Sequence, residues 1–140
     1  TVTVAEVSSF QLETIHDFKP QVTAILNITP DHLNRHHTME NYIAAKEDIA
    51  KNQSADDVCV LNYEDEVTRK FGERLQCKVL YFSSQRKLEK GIFLDDGNII
   101  YTDHLIAKSI YYLIANSQES IVYPNTQCQL CRQYHAMPCP

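Results

Sequence analysis

Short apolar runs alternate with polar segments along most of the chain, and this alternation predicts strands separated by helices. Residues 22–28 are apolar nearly throughout, which is typical of a strand covered on both faces in a parallel sheet. The runs that we interpret as strands are residues 1–5, 22–28, 58–61, 78–82, 92–94 and 99–101. Strands alternating with helices predict an α/β domain with a mainly parallel sheet and flanking helices.

Two segments between these runs have the pattern of a helix. Residues 39–52 place apolar side chains at helical spacing, with Thr38 as a predicted N-cap and Glu40 in the first turn. Residues 65–75 predict a second, shorter helix, and Ser8-Ser9 predicts a turn or helix cap before a short element at 10–15. The sequence Asp-Asp-Gly-Asn at 95–98 predicts a small hairpin between the last two strands.

Length and charge narrow the class of protein. A chain of 140 residues supports one domain of ordinary size. With 18 acidic against 13 basic residues and a net charge of -5, it lacks the basic face of a nucleic-acid binder. It also lacks the ~18 to 20 uninterrupted apolar residues of a membrane span. We therefore expect neither a nucleic acid nor a membrane as partner.

The cysteines and the first residues bear on compartment and completeness. Five cysteines, an odd number, argue against a disulfide scaffold and favour a reducing, cytoplasmic setting. The chain opens as if within a strand, without an initiator Met or a signal peptide. We expect it to be a piece of a longer protein.

Two predicted strands end in residues that can bind a metal ion. Glu6 follows the first strand, and Asp31-His32 follow the second. In open α/β sheets, ligands bind outside the carboxyl ends of the strands. Carboxylate and imidazole suit Mg²⁺ or Mn²⁺, although ordinary surface residues also stand at strand ends.

Lys46 lies within the apolar stripe of the helix at 39–52, three residues after Ile43 and three before Ile49. A lysine in such a stripe either extends its amine to water or has a function. Burial favours a neutral amine, which can act as a base or a nucleophile, or take up CO₂ and become a carbamate. A carbamate is an anionic oxygen ligand for a metal ion.

Zinc binding is an alternative at two places. Asp31, His32 and His36 could form a site, but they do not match the fixed ligand set of a known catalytic zinc. The irregular tail, residues 117–140, resembles a zinc knuckle, with shorter spacings and without its glycines, at Cys128, Cys131, His135 and Cys139.

Three segments, taken together and in order, resemble the central ATP-binding domain of the Mur ligases. They are Glu-Val-Ser-Ser-Phe-Gln-Leu-Glu at 6–13, Leu-Asn-Ile-Thr-Pro-Asp-His-Leu at 26–33 and Tyr-Ile-Ala-Ala-Lys at 42–46. The run at 8–13 is similar to the branch of the family that adds D-glutamate. The resemblance implies that residues 1–116 are part of that domain, and that 117–140 are non-native or out of frame.

The resemblance also implies an activity. Mur ligases of this branch use ATP to convert UDP-N-acetylmuramoyl-L-alanine to an acyl phosphate, which D-glutamate then attacks to form an amide. The implied setting is peptidoglycan precursor synthesis in the cytoplasm, by a protein that is monomeric in most of the family. The implied cofactor is Mg²⁺ or Mn²⁺, with ATP as co-substrate.

Four residues match functional positions of the family. By this resemblance, Glu6 binds the magnesium between the ATP phosphates and His32 binds a second magnesium. Lys46 is the lysine that is carbamoylated and supports that second ion. Ser8 lies where the family contacts the UDP-substrate.

The departures from the family pattern are also informative. With three glycines, the chain cannot assemble the family's phosphate-binding loop, so we expect it to be inactive alone. Asn34 replaces the usual aspartate, and Tyr123-Pro124-Asn125 replaces a Gly-x-His-Asn segment of the adenine site. By the resemblance, we expect the family's uridine-binding and D-glutamate-binding domains to lie outside these 140 residues. The alternative function is a non-catalytic metal-binding α/β module that uses Glu6, Asp31, His32 and His36.

Overall fold

The computed structural model describes residues 3–102 of the chain. The strands are β1 (Val22–Ile25), β2 (Val58–Asn62), β3 (Lys78–Ser83), β4 (Ile92–Asp95) and β5 (Asn98–Tyr101). The helices are α1 (Ser9–Leu12), α2 (Leu33–His36), α3 (Met39–Glu47) and α4 (Glu66–Gly72), and a 3₁₀ turn at Asp48–Ala50 continues α3. None of these helices is long and apolar enough to cross a bilayer.

The five strands form one sheet in the order β1-β2-β3-β4-β5. β1 pairs with β2 in parallel, with Val22 opposite Val58. β3 pairs with β4 in parallel, and β4 pairs with β5 in antiparallel fashion. The predicted α/β class, with a mainly parallel sheet and a terminal hairpin, is confirmed.

The chain divides into two compact units, of which residues 5–81 form one. Its core lies between the apolar face of β1 and β2 and the buried sides of α3 and α4. The buried members of this core are Ile25, Ile28, Tyr42, Ala50, Cys59, Leu61, Phe71 and Cys77. Burial raises the pKa of the Cys59 thiol to about 11, so this free cysteine is held as a neutral apolar group.

A buried amide side chain, Gln53, links the strands of this unit. Its Oε1 accepts from Thr23 Oγ1 on β1 at 3.1 Å, and its Nε2 donates to the carbonyl of Val58 on β2 at 3.0 Å. Cys77 Sγ lies 3.5 Å from the same Oε1. Because an unpaired buried amide is costly, these partners fix Gln53 between the strands.

The second predicted strand is shorter than expected. β1 ends at Ile25, and two distant side chains bind the backbone that follows it. The N–H of Ile28 donates to Asp65 Oδ2 at 2.7 Å, and Asn62 Nδ2 donates to the carbonyl of Leu26 at 3.0 Å. The prediction of burial on both faces is wrong, since Ala24 within β1 is exposed and Leu26 after it is 65% exposed.

The first predicted strand, at residues 1–5, is not formed where the structure describes it. Thr3, Val4 and Ala5 belong to no strand, and Val4 is 88% exposed. A β-branched composition favours an extended backbone, but a strand is stable only with a hydrogen-bonded neighbour. Thr1 and Val2 lie outside the described residues.

The predicted helices are present, but their ends differ from the predicted ones. α3 begins at Met39 after the predicted N-cap Thr38, whose Oγ1 accepts from Asn41 N at 3.2 Å. Its last turn, to Ala50, is 3₁₀. The predicted helix at 65–75 is α4, which ends at Gly72. Sequence patterning missed the four-residue α2 altogether.

The other unit contains residues 3–4 and 82–102 of the described chain. Its hairpin has the predicted turn, with positive φ at Asp96 (46°) and Gly97 (74°). Two successive residues at positive φ are typical of the turn that joins tightly connected antiparallel strands. The predicted boundary at residue 116 and the tail at 117–140, including its candidate zinc ligands, lie outside the described residues.

Candidate functional site

The segment after Glu6 forms α1, whose start is set by a capping box. Ser8 Oγ accepts from Gln11 N at 3.4 Å, and the Ser8 N–H donates to Gln11 Oε1 at 2.9 Å. The helix is only four residues long, so these bonds define where it begins. The candidate substrate-binding Ser8 is exposed at this point, while its neighbour Ser9 is 1% exposed.

His32 stands at the turn between β1 and α2, in the left-handed region of backbone space. It is the N-cap of α2, with φ 52° and ψ 26°. Its N–H donates to Asp31 Oδ1 at 2.7 Å, and its Nε2 lies 3.3 Å from Asp31 Oδ2. The ring packs on Phe10 with 4.8 Å between centroids, and the side chain is 46% exposed. One face of the imidazole is therefore supported while the side chain remains open to a ligand.

A buried histidine, His36, joins α1 to α2. Its Nε2 lies 3.0 Å from Ser9 Oγ, and its Nδ1 lies 3.2 Å from Glu13 Oε1. The neutral tautomer that satisfies both contacts donates from Nδ1 to Glu13 and accepts at Nε2 from the serine hydroxyl. Arg35 Nη2, 2.7 Å from Glu13 Oε2, holds the pKa of that carboxyl below its ordinary value.

An aromatic cluster, which we define as Phe10, His36 and Tyr42, extends from this network. Phe10 stacks on His36 with centroids 5.5 Å apart and planes 16° apart. Tyr42 of α3 packs on His36 with centroids 5.3 Å apart. Burial raises the pKa of Tyr42, with a smaller contribution from the negative charge of Asp31.

Lys46 is positioned by the same cluster. Its Nζ lies 5.8 Å from the centroid of the Tyr42 ring, one helical turn away on α3. This is the range of a cation–π contact. The side chain is half-buried, which agrees with its predicted place within the apolar stripe.

The candidate metal ligands Glu6, His32 and Lys46 differ in their surroundings. Glu6 is exposed and lies outside any helix or strand, before α1. The aromatic cluster connects His32, through Phe10, with Lys46, through Tyr42. Within residues 3–102, no three His, Cys, Asp or Glu side chains are grouped so that they could hold a metal ion.

The zinc hypothesis for Asp31, His32 and His36 is not supported by this geometry. The side chain of His36 is 2% exposed, and both of its ring nitrogens face protein groups. A histidine that binds a metal ion needs a free ring nitrogen. The alternative four-residue metal module, which also uses Glu6, is not assembled within the described part of the chain.

A surface groove of about 410 Å³ opens beside the Glu13–Arg35 ion pair. Both signs of charge line it, so its lining selects neither an anion nor a cation. Its polar lining residues are Glu13, Arg35, His36, His37, Asn41 and Asp48.

Sequence reasoning missed the residues that support the candidate ligands. Ser9, Phe10 and Glu13 lie on the short α1, whose length gives no periodic pattern. The one available signal was the spacing of His32 and His36, which places both on one helical turn. That spacing suggested a shared metal site, whereas the structure separates an exposed imidazole from a buried one.

Comparison of the sequence with known proteins shows which family the chain belongs to. The sequence model of the Mur ligase middle domain matches residues 1–121. The match covers most of the chain and includes Glu6, Ser8, His32 and Lys46. The chain belongs to the Mur ligase family.

Several similar proteins carry one enzyme name, UDP-N-acetylmuramoylalanine–D-glutamate ligase. That of Lachnoclostridium phytofermentans is 62% identical over 103 residues, which are 74% of this chain and 23% of the relative. That of Clostridioides difficile is 54% identical over 100 residues, 71% of this chain and 22% of the relative. That of Koribacter versatilis is 48% identical over 103 residues, which are 74% of this chain and 23% of the relative. This Mur ligase chain thus spans less than a quarter of the length of the curated relatives it matches.

Proposed function

We propose that this chain is the middle-domain segment of a UDP-N-acetylmuramoylalanine–D-glutamate ligase. ATP transfers its terminal phosphoryl group to the carboxylate of UDP-N-acetylmuramoyl-L-alanine, giving an acyl phosphate and ADP. The amine of D-glutamate displaces phosphate and forms the amide. The supporting observation is identity of 48% to 62% with relatives of that name. This activity belongs to cytoplasmic peptidoglycan precursor synthesis.

The donor set on this chain fits Mg²⁺ shared with a nucleotide. Glu6 offers an exposed carboxylate, and His32 offers an imidazole that is 46% exposed. Protein sites for Mg²⁺ combine one or two side chains with substrate phosphates and waters, so a closed protein cage is not required. Bound Mg²⁺ would neutralise charge on the phosphates during phosphoryl transfer. In this proposal Glu6 and His32 bind the two ions, and the Phe10 ring orients His32.

Lys46 would contribute an anionic ligand to the ion of His32 after reaction with CO₂. The neutral amine forms an N–C bond to CO₂ and loses a proton, which leaves a carbamate. The Tyr42 ring, 5.8 Å from Nζ, holds the side chain in one place beside the aromatic cluster.

Ser8 would contact the UDP-substrate. Its bond from Gln11 N is long, at 3.4 Å, and therefore weak. The exposed hydroxyl oxygen retains acceptor capacity for a substrate N–H or O–H group.

The test uses a chimera in which this chain replaces the matched segment of the Lachnoclostridium phytofermentans ligase. We expect phosphate release that depends on ATP, UDP-N-acetylmuramoyl-L-alanine and D-glutamate together. Lys46→Ala should abolish most of it, and small carboxylic acids should restore a part if the carbamate is the working form. Lys70→Ala is the matched control, because Lys70 is exposed on α4 and paired only with surface Glu66 among the described residues.

Two results would contradict the proposal. One is a folded chimera that releases phosphate without D-glutamate or takes another amino acid equally well. The other is full activity of Lys46→Ala. Loss of activity without rescue by carboxylic acids would assign Lys46 an amine role instead.

A further inference from the structure

The aromatic cluster connects the two groups that the proposed function places at one metal ion. Phe10 contacts the ring of His32 at 4.8 Å, and Tyr42 lies beneath Lys46 Nζ at 5.8 Å. His36 contacts both aromatic rings, at 5.5 Å and 5.3 Å between centroids. The two rings that contact His32 and Lys46 therefore both pack on the ring of His36.

The His36 ring is held by hydrogen bonds rather than by packing alone. Ser9 and Glu13, both on or next to α1, occupy its two nitrogens at 3.0 Å and 3.2 Å. Arg35 restrains Glu13 in turn and places its guanidinium 4.7 Å from the Phe10 ring. A buried imidazole with both nitrogens engaged has one orientation available to it.

The backbone conformation and exposure of His32 explain why its ring depends on the contact with Phe10. It is a non-glycine residue at φ 52°, a conformation that costs energy and persists only when its surroundings maintain it. Its side chain is open to solvent, and its contacts are with Asp31 and Phe10. Without a fixed Phe10, the remaining contact of the imidazole is with Asp31, whose side chain is itself 60% exposed.

We infer that His36 is a positioning residue, which orients His32 through Phe10 and Lys46 through Tyr42 for a shared divalent cation. The inference rests on the proposed function in one respect, namely that His32 and Lys46 serve the same ion. Outer partners that orient metal ligands typically change metal affinity by about 10- to 100-fold when they are removed.

The experiment follows the His32 ring and the Lys46 ε-methylene by NMR in the 140-residue chain, before and after addition of Mn²⁺ in bicarbonate buffer. His36→Phe keeps an aromatic ring but removes both hydrogen bonds. We expect the His32 and Lys46 signals to move toward their values in disordered peptides, while signals of the core residues Phe71 and Leu61 stay in place. The affinity for Mn²⁺ should fall about 10-fold or more.

Two further variants keep the test decisive. His16→Asn removes an exposed histidine outside the cluster and should leave both sets of signals and the Mn²⁺ affinity unchanged. Ser9→Ala removes one hydrogen bond to His36 with a minimal change in volume, so we expect a smaller shift of the same signals. This variant provides the test if His36→Phe fails to fold.

Unchanged His32 and Lys46 signals in folded His36→Phe, or in Ser9→Ala when His36→Phe is unfolded, overturn the inference. These signals decide the positioning role in the absence of metal. A chain without substitutions that binds no Mn²⁺ in bicarbonate would contradict the clause that His32 and Lys46 serve the same ion, while phosphate release by the chimera tests the proposed function separately.

Discussion

A single residue, Gly72, has no room for a side chain. A Cβ there would collide with the hydroxyl of Tyr81 and would lie 3.0 Å from Leu61 Cδ1. The Tyr81 hydroxyl donates to the carbonyl of Arg69 at 3.1 Å, and so joins β3 to the last turn of α4. Glycine at this position permits the close approach of Tyr81 because it has no Cβ. A special backbone conformation is not the reason, since Gly72 belongs to the helix α4.

Gly72→Ala should therefore destabilise the protein, even though alanine favours a helix by up to ~1 kcal/mol over glycine. Displacement of Tyr81 should cost more, and we expect a net loss of about 1–3 kcal/mol. Urea unfolding followed by circular dichroism measures this change. Addition of Tyr81→Phe should recover a part of the loss, and an increase in stability for Gly72→Ala alone would show that Tyr81 moves freely.

A second residue-scale prediction concerns Asp57, which lies in a turn before β2. Its Oδ2 accepts from Ser54 N at 2.7 Å and from Ser54 Oγ at 2.9 Å, and lies 3.4 Å from Lys19 Nζ. These contacts, first among them the bond from Ser54 N, hold the pKa of Asp57 below its ordinary value. The ionised form thus stabilises the folded state above the unfolded pKa of ~3.9, and this contribution is lost as pH falls through the lower folded pKa.

Asp57→Asn should unfold at lower urea concentration than the unsubstituted chain at pH 7. The difference between the two should shrink as the pH is lowered from about 5 toward 2, because both side chains are then neutral. Asp56→Asn, an exposed neighbour, serves as control. A difference that does not depend on pH would show that the carboxylate charge contributes nothing at this turn.

At the scale of elements, one side chain both ends β1 and begins α4. Asp65 Oδ1 accepts from Val67 N at 2.9 Å and from Thr68 N at 3.1 Å, which caps α4. Its Oδ2 accepts from Ile28 N at 2.7 Å, past the end of β1. The same carboxylate therefore fixes the path of the chain toward His32.

Asp65→Ala should remove the cap, at about 1 kcal/mol, and leave the buried Ile28 N–H unpaired, at about 1–3 kcal/mol. Asp65→Ser keeps a capping hydroxyl but does not reach Ile28, so its loss of stability should be smaller. Urea unfolding of both variants separates the two roles. Equal stability of Asp65→Ser and the unsubstituted chain would show that the hydrogen bond to Ile28 contributes nothing to the free energy of unfolding.

Element types were more predictable than element ends. Thr38 and the apolar stripe after it predict α3, and the Asp96-Gly97 pair predicts the hairpin turn, because both signals are local. The end of β1 depends on Asn62 and Asp65, more than thirty residues away in the chain. No local pattern contains that information.

At the scale of the whole molecule, the proposed activity requires more than this chain provides. Its three glycines, Gly72, Gly91 and Gly97, do not stand in the Gly-x-x-x-x-Gly-Lys pattern of a phosphate-binding loop. We expect the 140-residue chain alone to release no phosphate from ATP with both other substrates present, whereas the chimera does. Substrate-dependent phosphate release by the isolated chain, measured with a colorimetric phosphate assay, would contradict this expectation.

The candidate site was partly accessible from sequence. Glu6 and His32 were found as polar residues after apolar runs, and Lys46 as a cation within an apolar stripe. Ser9, Phe10 and Glu13 were not found, because their importance lies in contacts with His32 and His36 across the turn from β1 to α2.

The sequence by itself determined the α/β class, the family and the side chains that carry the proposed chemistry, since hydrophobic period, capping residues and motif order are properties of neighbouring positions. The tertiary structure decided where β1 ends, that residues 3–5 form no strand, and that His36 is buried between Ser9 and Glu13 while His32 stays exposed. These outcomes depend on hydrogen-bond partners and ring contacts that only the folded chain brings together, and so the same histidine type has two different environments one helical turn apart.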